Sequence, residues 1–238
     1  MRLLVCCEES QRVCTAFRER GWEAYSCDIE PCSGGHPEWH IQQDVLPLIN
    51  GDCEFDTVDG THHIIDGEWD LLICHPPCTY LTLAGNKWFK PEFRERFPDR
   101  MKQRSEAIKF FMQFVNAKCK HIAIENPVGV MSSRHRKPNQ YIEPYYFGDA
   151  EKKKTGLWLT GLPDLEPTDM VEPVIIHCKS GANEPKWHMD SMSLPPVERS
   201  KARSKTFEGV AKAMAEQWGY YLENLQGWRN KQCRQRMI

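Results

Sequence analysis

Several things are missing from this chain of 238 residues. No window approaches the ~20 apolar residues that a membrane-spanning helix needs, so no membrane partner is expected. No charge sign dominates: 31 Lys and Arg face 33 Asp and Glu, for a formal net charge of −2. The global basic signature of a nucleic-acid binder is therefore absent. A signal peptide is not evident either, because the opening run meets acid at Glu8 and Glu9 and reads better as a first strand. A cytoplasmic location is the expectation. The 11 Cys are odd in number and irregularly spaced, a pattern of reduced thiols and not of a disulfide framework. Cys32, His36 and His40, with Cys27 nearby, have a spacing zinc could use, but no second Cys-x-x-Cys pair completes it. A loop with polar histidines and a core cysteine is favoured, as it is for His62-His63 and for His177-Cys178, and no metal is expected. Internal repeats and low-complexity tracts are also lacking.

What is present points to a packed core. The hydrophobic fraction is 40% with 8 Trp, enough for one full-sized domain with a small appendage. The chain is organised around Asp70 to Cys78. Leu71 to Cys74 is a short apolar run suited to a buried strand of a parallel sheet. Pro76 and Pro77 then stop it, since neither can donate to a ladder. Cys78 is thereby delivered just past a strand's carboxyl end, the edge where open α/β sheets bind ligands. A thiol presented there is a candidate nucleophile.

Leu3 to Cys7 reads as a buried strand, Ser10 as an N-cap, and Val13, Ala16 and Phe17 as the apolar face of a helix ended by Gly21. Ala24 to Cys27 is a second strand closed by Asp28. Strand, helix, strand, acid is half of a nucleotide-binding unit, with Asp28 either accepting from ribose hydroxyls or capping a loop. Pro31 to Gly67 shows little periodicity, although Asp44 before Val45-Leu46 is placed to add a polar contact near the same edge. Thr79 to Arg100 reads as a long loop of the kind that binds or covers a site. Met101 to Lys118 is an amphipathic helix with Ala107, Ile108, Phe111, Phe114 and Val115 on its apolar face. His121 to Ile124 is another buried strand, leading into Glu125-Asn126-Pro127, where a proline turns the chain. Met131 to Tyr146 is irregular, Gly156 to Leu159 reads as a strand, and Phe207 to Leu222 as a final helix. Basic residues cluster at Lys152 to Lys154, Arg199 to Lys205 and Arg229 to Arg236, each a phosphate grip or a solvated face. The expected boundaries are 1–165 for a cofactor-binding α/β domain, 166–200 for a small insert, and 201–238 for a helix packing back on the domain.

Pro76-Pro77-Cys78 together with Glu125-Asn126-Pro127 resembles the cytosine-C5 DNA methyltransferases, especially the short phage and prophage versions. The likeness covers roughly the first two thirds of the chain plus the last helix. Amino-methyltransferases carry Asp-Pro-Pro-Tyr instead, so Cys78 favours C5 over an exocyclic nitrogen. The resemblance implies a Rossmann-like S-adenosylmethionine-dependent methyltransferase fold, a mostly parallel central sheet with helices on both faces. It implies that Cys78 adds to C6 of a cytosine while Glu125 contacts N3, with Pro77 and Asn126 beside them. S-adenosylmethionine would be held by Cys7, Glu8, Glu9 and Ser10 of the first loop, by Asp28 and Ile29, by Asp44 and Val45, and by His75 and Pro76. DNA, single-stranded or as a duplex with a flipped base, would meet Thr79, Lys87, Arg134, Arg136, Lys152, Lys154, Arg199 and Arg203. A monomer or weak dimer in a bacterial host cell, in a restriction-modification setting, completes the expectation.

The chain departs from that family in its first motif, which is Cys6-Cys7-Glu8-Glu9-Ser10 without Phe-x-Gly-x-Gly. Thr79 stands where Gln is common. No Gln-x-Arg-x-Arg is evident, leaving Lys152 and Lys154, or Arg134 and Arg136, as replacements or as a solvated patch. A recognition region confined to Glu166–Pro196 is small, so low sequence specificity or a partner is expected. Two other functions share the residues: C5 modification of a pyrimidine nucleotide or modified base, and an inactive DNA-binding or anti-restriction homologue.

Overall fold

A computed structural model describes residues 1–178, 181 and 183–235, with side chains as far as residue 227. The chain runs β1 (Arg2–Cys6), α1 (Arg12–Glu19), β2 (Glu23–Asp28), β3 (His40–Gln42), then a hairpin of β4 (Cys53–Asp56) and β5 (His62–Ile65). It continues with β6 (Leu71–Cys74), α2 (Arg100–Val115), β7 (Ile122–Pro127), the one-turn α3 (Met131–Arg134), β8 (Gln140–Ile142) and β9 (Thr155–Thr160). A second hairpin of β10 (Ile175–His177) and β11 (Asn183–Pro185) leads to α4 (Lys186–Met192), α5 (Pro196–Ser204) and α6 (Glu208–Gln235).

Seven strands form one sheet in the order β3-β2-β1-β6-β7-β9-β8. The first five are parallel, and β9 lies antiparallel to both β7 and β8. This is the expected Rossmann-like α/β class of fold, a mostly parallel central sheet with helices on both faces. The apolar runs of β1 and β6 are central because both of their faces are covered. Leu3, Val5, Leu71 and Ile73 pack with Phe17 of α1 and Met214 and Trp218 of α6. Their neighbours Leu4, Cys6, Leu72 and Cys74 pack with Phe111 and Phe114 of α2 and with Trp69. The period of two thus divides one sheet between two helical layers.

The strand order reverses between β1, whose chain leads out to β2 and β3, and β6, which leads the other way to β7. A crevice opens at such a switch point, beyond the carboxyl ends of the strands.

Several elements differ from the sequence expectation. Gln11, not Ser10, holds the N-cap position of α1, in left-handed backbone at φ 57°. The cap itself comes from Glu8, whose carboxylate accepts from the amides of Val13 at 2.7 Å and Cys14 at 3.1 Å. Glu125, Asn126 and Pro127 are not a turn beyond a strand but the last three residues of β7, in register with Leu157, Gly156 and Thr155. β9 supplies that pairing from a distant part of the chain. Pro31 to Gly67 holds β3 and the β4–β5 hairpin, which are too short to show a period. The Thr79–Arg100 stretch contains 3-10 turns at Leu83–Phe89 and Pro91–Phe93. Helix α5 runs through residues 200 and 201.

Candidate active site

The crevice holds a cavity of about 720 Å³. The ends of β1, β2, β3 and β6 contribute to its wall. Cys7 and Glu9 leave β1, Asp28 and Ile29 close β2, Asp44 and Val45 follow β3, and His75, Pro77, Cys78 and Thr79 follow β6. The remaining side is α5, through Arg199, Lys201 and Arg203 among others. Lys201 reaches across to Glu30 beyond β2, at 3.1 Å.

The β1 exit is sharply bent, with Cys7 at φ 61°. Of the two acids after it, Glu8 turns away to cap α1, and its buried carboxyl is pushed up by desolvation against the pull of nearby His75 and the two helix amides. Glu9 is only 7% exposed, and neither of its carboxylate oxygens has a partner. Ser10 is buried beside it and lines a separate recess of about 40 Å³, shared with Glu8 and His75. Asp28 is half-buried; burial raises its carboxyl, while the Glu30 amide at 3.0 Å opposes that rise. Ile29, at 72% exposure, lays an apolar side chain on the cavity rim. Asp44 accepts from the Leu46 amide at 3.1 Å, and Val45 is buried below it.

After β6 the chain is held in place by β7. Asn126 is buried and its Nδ2 donates to the Pro76 carbonyl at 2.8 Å, which ties the turn that presents Cys78 to β7. His75 Nδ1 donates to Glu125 Oε2 at 3.0 Å, with the two side chains 7% and 16% exposed. Glu125 sits behind His75, in a recess of about 20 Å³ with Lys153, Thr155 and Thr206. Cys78 and Glu125 line separate spaces, linked by His75, which is on the wall of the first and hydrogen-bonds to Glu125. They are near enough for each to feel the other: burial pushes the Cys78 thiol up, the Glu125 charge pushes it further, and Lys153 pulls it back. Burial also drives Glu125 upward, but the hydrogen bond from His75, the charge of Lys153 and the nearby Thr155 hydroxyl outweigh it, so its carboxyl is held below the usual range.

No family model matches this chain, and no curated protein does. Among solved structures it is similar to an E. coli protein described as a DNA modification methyltransferase encoded within a prophage, at 12% identity and a TM-score of 0.39. The match covers 82% of this chain and 56% of that one. The chain thus spans little more than half the length of the structure it resembles.

Lys153 is the site residue that the sequence reading missed, having singled out its neighbours. Lys152 and Lys154 are exposed, and Lys154 lies over the Tyr141 ring at 4.8 Å. Lys153 instead donates from Nζ to the Arg203 carbonyl at 3.0 Å, at the end of α5. Strand parity held the signal. Leu157 opposes Glu125 in register, so Thr155 and Leu157 share its face, and Lys153, two residues ahead of Thr155, lines the same recess.

The expected DNA contacts scatter. Thr79 lines the cavity, Lys87 is exposed over the Trp88 ring at 4.7 Å, and Arg134 is exposed at the end of α3. Arg136 is occupied by Asn139 Oδ1 at 2.7 Å and the Leu159 carbonyl at 3.1 Å. Arg199 and Arg203 line the cavity but hydrogen-bond within their own lobe, to the Leu194 carbonyl at 2.9 Å and Ser191 Oγ at 2.8 Å. The basic run 229–236 lies outside the described side chains. The side chains of Cys32, His36 and His40 hydrogen-bond respectively with Gln11, with Glu38, and with Ser26 and the Glu30 carbonyl. No helix among the described residues is long and apolar enough to cross a membrane.

Proposed function

We propose that this chain transfers a methyl group from S-adenosylmethionine to C5 of a cytosine in DNA, by way of a bond between the Cys78 sulfur and C6. The observation that carries this reading is Cys78 on the wall of a switch-point cavity, with Glu125 hydrogen-bonded to His75 of that same wall.

The cavity suits the donor. An unpaired buried carboxylate is costly, and Glu9 is relieved by a ligand that brings a positive charge, as a sulfonium or ammonium does. Ile29 offers an apolar rim to a flat ring, and Asp28 an acceptor to ribose hydroxyls. When bound, S-adenosylmethionine supplies an electrophilic methyl group.

The protein must supply a thiolate, because only that form attacks. At rest the proton is on Cys78 and the charge on Glu125. Moving that proton to Glu125 turns thiol plus carboxylate into thiolate plus acid, and the pair keeps one negative charge throughout. As an acid, Glu125 donates to N3 and offsets the charge that builds there when sulfur bonds to C6. C5 becomes the nucleophile. Once C5 is methylated, loss of its proton to water expels the sulfur and restores the ring. Asn126 positions this machinery by clamping the Pro76 carbonyl.

Transfer of tritiated methyl to duplex DNA, single-stranded DNA and free dCMP tests the reading. DNA should be labelled by the wild type and not by Cys78→Ser, with calorimetry showing that the variant still binds S-adenosylmethionine. Equal labelling by the variant, or no donor binding by the wild type, would sink it. Label on dCMP alone would replace DNA with a nucleotide.

A further inference from the structure

The segment from Thr79 to Arg104 carries seven Lys or Arg against three Asp or Glu, a local excess of four positive charges in a chain whose formal net charge is −2. It is a built block. The Arg104 guanidinium lies 3.3 Å from the Phe89 ring centroid, and donates to Asn86 Oδ1 at 2.6 Å and the Tyr80 carbonyl at 2.9 Å. Arg100 sits among the rings of Tyr80, Phe89 and Phe97, at 4.9 to 5.6 Å. Trp88 packs edge-on against Phe93 and Phe97. These two arginines are consumed inside the block. Lys87, Arg94 and Arg96 are left exposed, and none of the three is ion-paired among the described residues, whereas Lys90 leans on Glu92 at 4.0 Å.

The block is fastened to the candidate site at its N-terminal end. The amides of Leu81 and Thr82 donate to the Cys78 carbonyl at 2.9 and 3.0 Å. Leu83 donates to the Val128 carbonyl at 3.1 Å, and Val130 to that of Leu81 at 2.8 Å. Gly129 permits this close approach, since a Cβ there would fall on the Leu81 carbonyl oxygen. The block therefore starts from Cys78 and from the segment that follows the strand carrying Glu125.

Resting on the methyl-transfer reaction at Cys78, we propose that this block, and not the small insert, is the DNA grip: Lys87, Arg94 and Arg96 take the backbone phosphates of the strand that carries the target base. Cations interleaved with aromatic rings suit a single or locally opened strand. A prebuilt block binds without first ordering a loop.

The test is fluorescence anisotropy with a labelled single-stranded oligonucleotide and its duplex, between about 50 and about 200 mM salt. The triple variant Lys87→Gln/Arg94→Gln/Arg96→Gln should lower the slope of log affinity against log salt by about 2 for the single strand, and weaken binding on the order of a hundredfold at ~0.1 M salt. The charge-preserving Lys87→Arg/Arg94→Lys/Arg96→Lys should retain both values, separating lost charge from lost fold. An unchanged slope in the Gln variant overturns the proposal, as does absence of DNA binding by the wild type. So does transfer of the whole loss to Lys152→Gln/Lys154→Gln. Donor calorimetry keeps the two ideas apart. DNA held through the block by a protein that binds no S-adenosylmethionine would uphold the grip and defeat the methyl-transfer reading.

Discussion

Lys153 sets the electrostatics between the thiol and the carboxylate, because its charge favours the ionised form of both Cys78 and Glu125. Lys153→Gln should therefore raise both groups. Glu125 must be ionised to take the thiol proton, so the acid limb of the kcat/KM profile should move to higher pH, and the alkaline limb with it. The same sign governs stability. A carboxyl held below its unfolded value stabilises the fold above the ordinary carboxylate range, and that contribution fades as pH falls through the folded value. In the variant this fading should begin at a higher pH. Rate profiles and melting curves across the acid range check both statements; a profile superimposable on the wild type would remove Lys153 from the chemistry.

At the scale of elements, the β1–α1 turn does two tasks with two adjacent acids. Glu8 caps the helix, and this holds the backbone that places Glu9 at the cavity. Glu8→Ala leaves the Val13 and Cys14 amides without their acceptor and should cost about 1–2 kcal/mol, a fall in Tm of roughly 2–8 °C for a chain of this size. Donor affinity measured by calorimetry should drop along with it, through displacement of Glu9. A variant that melts like the wild type would mean that water or Ser10 serves the helix equally well. Gln11 and Cys7 in left-handed backbone fit a turn shaped by this cap and not by glycine. That shape accounts for a nucleotide-type crevice whose first loop has no Gly-x-Gly.

For the molecule as a whole, α6 closes one face of the sheet. Trp218 is 0% exposed, and its indole donates to the Pro163 carbonyl at 2.9 Å. Arg20 and Trp22 both donate to Glu223, at 2.7–2.9 Å, tying the α1–β2 corner to the same helix. Trp218→Ala should cost about 3–5 kcal/mol and lower Tm by about 10 °C, while Cys78, on the opposite edge of the strands, keeps its place in the protein that remains folded. Scanning calorimetry and thiol labelling of the native state check this; an unchanged Tm would show that α6 is not part of the core.

The apolar runs Leu3–Cys6, Leu71–Cys74 and Ile122–Ile124 were enough to place the central strands, since residues buried on both faces leave an unbroken hydrophobic signature. The prolines after Cys74 were enough to place Cys78 at the carboxyl edge, because a proline cannot continue the ladder. Local chemistry ends there. That Glu125 lies within a strand, that Glu8 caps while Glu9 stays unpaired, and that Lys153 and not its neighbours faces the carboxylate were decided by β9 crossing back antiparallel beside β7 and by α5 folding over the crevice. Register and burial are properties of elements brought together from distant parts of the chain, and no window of residues contains them.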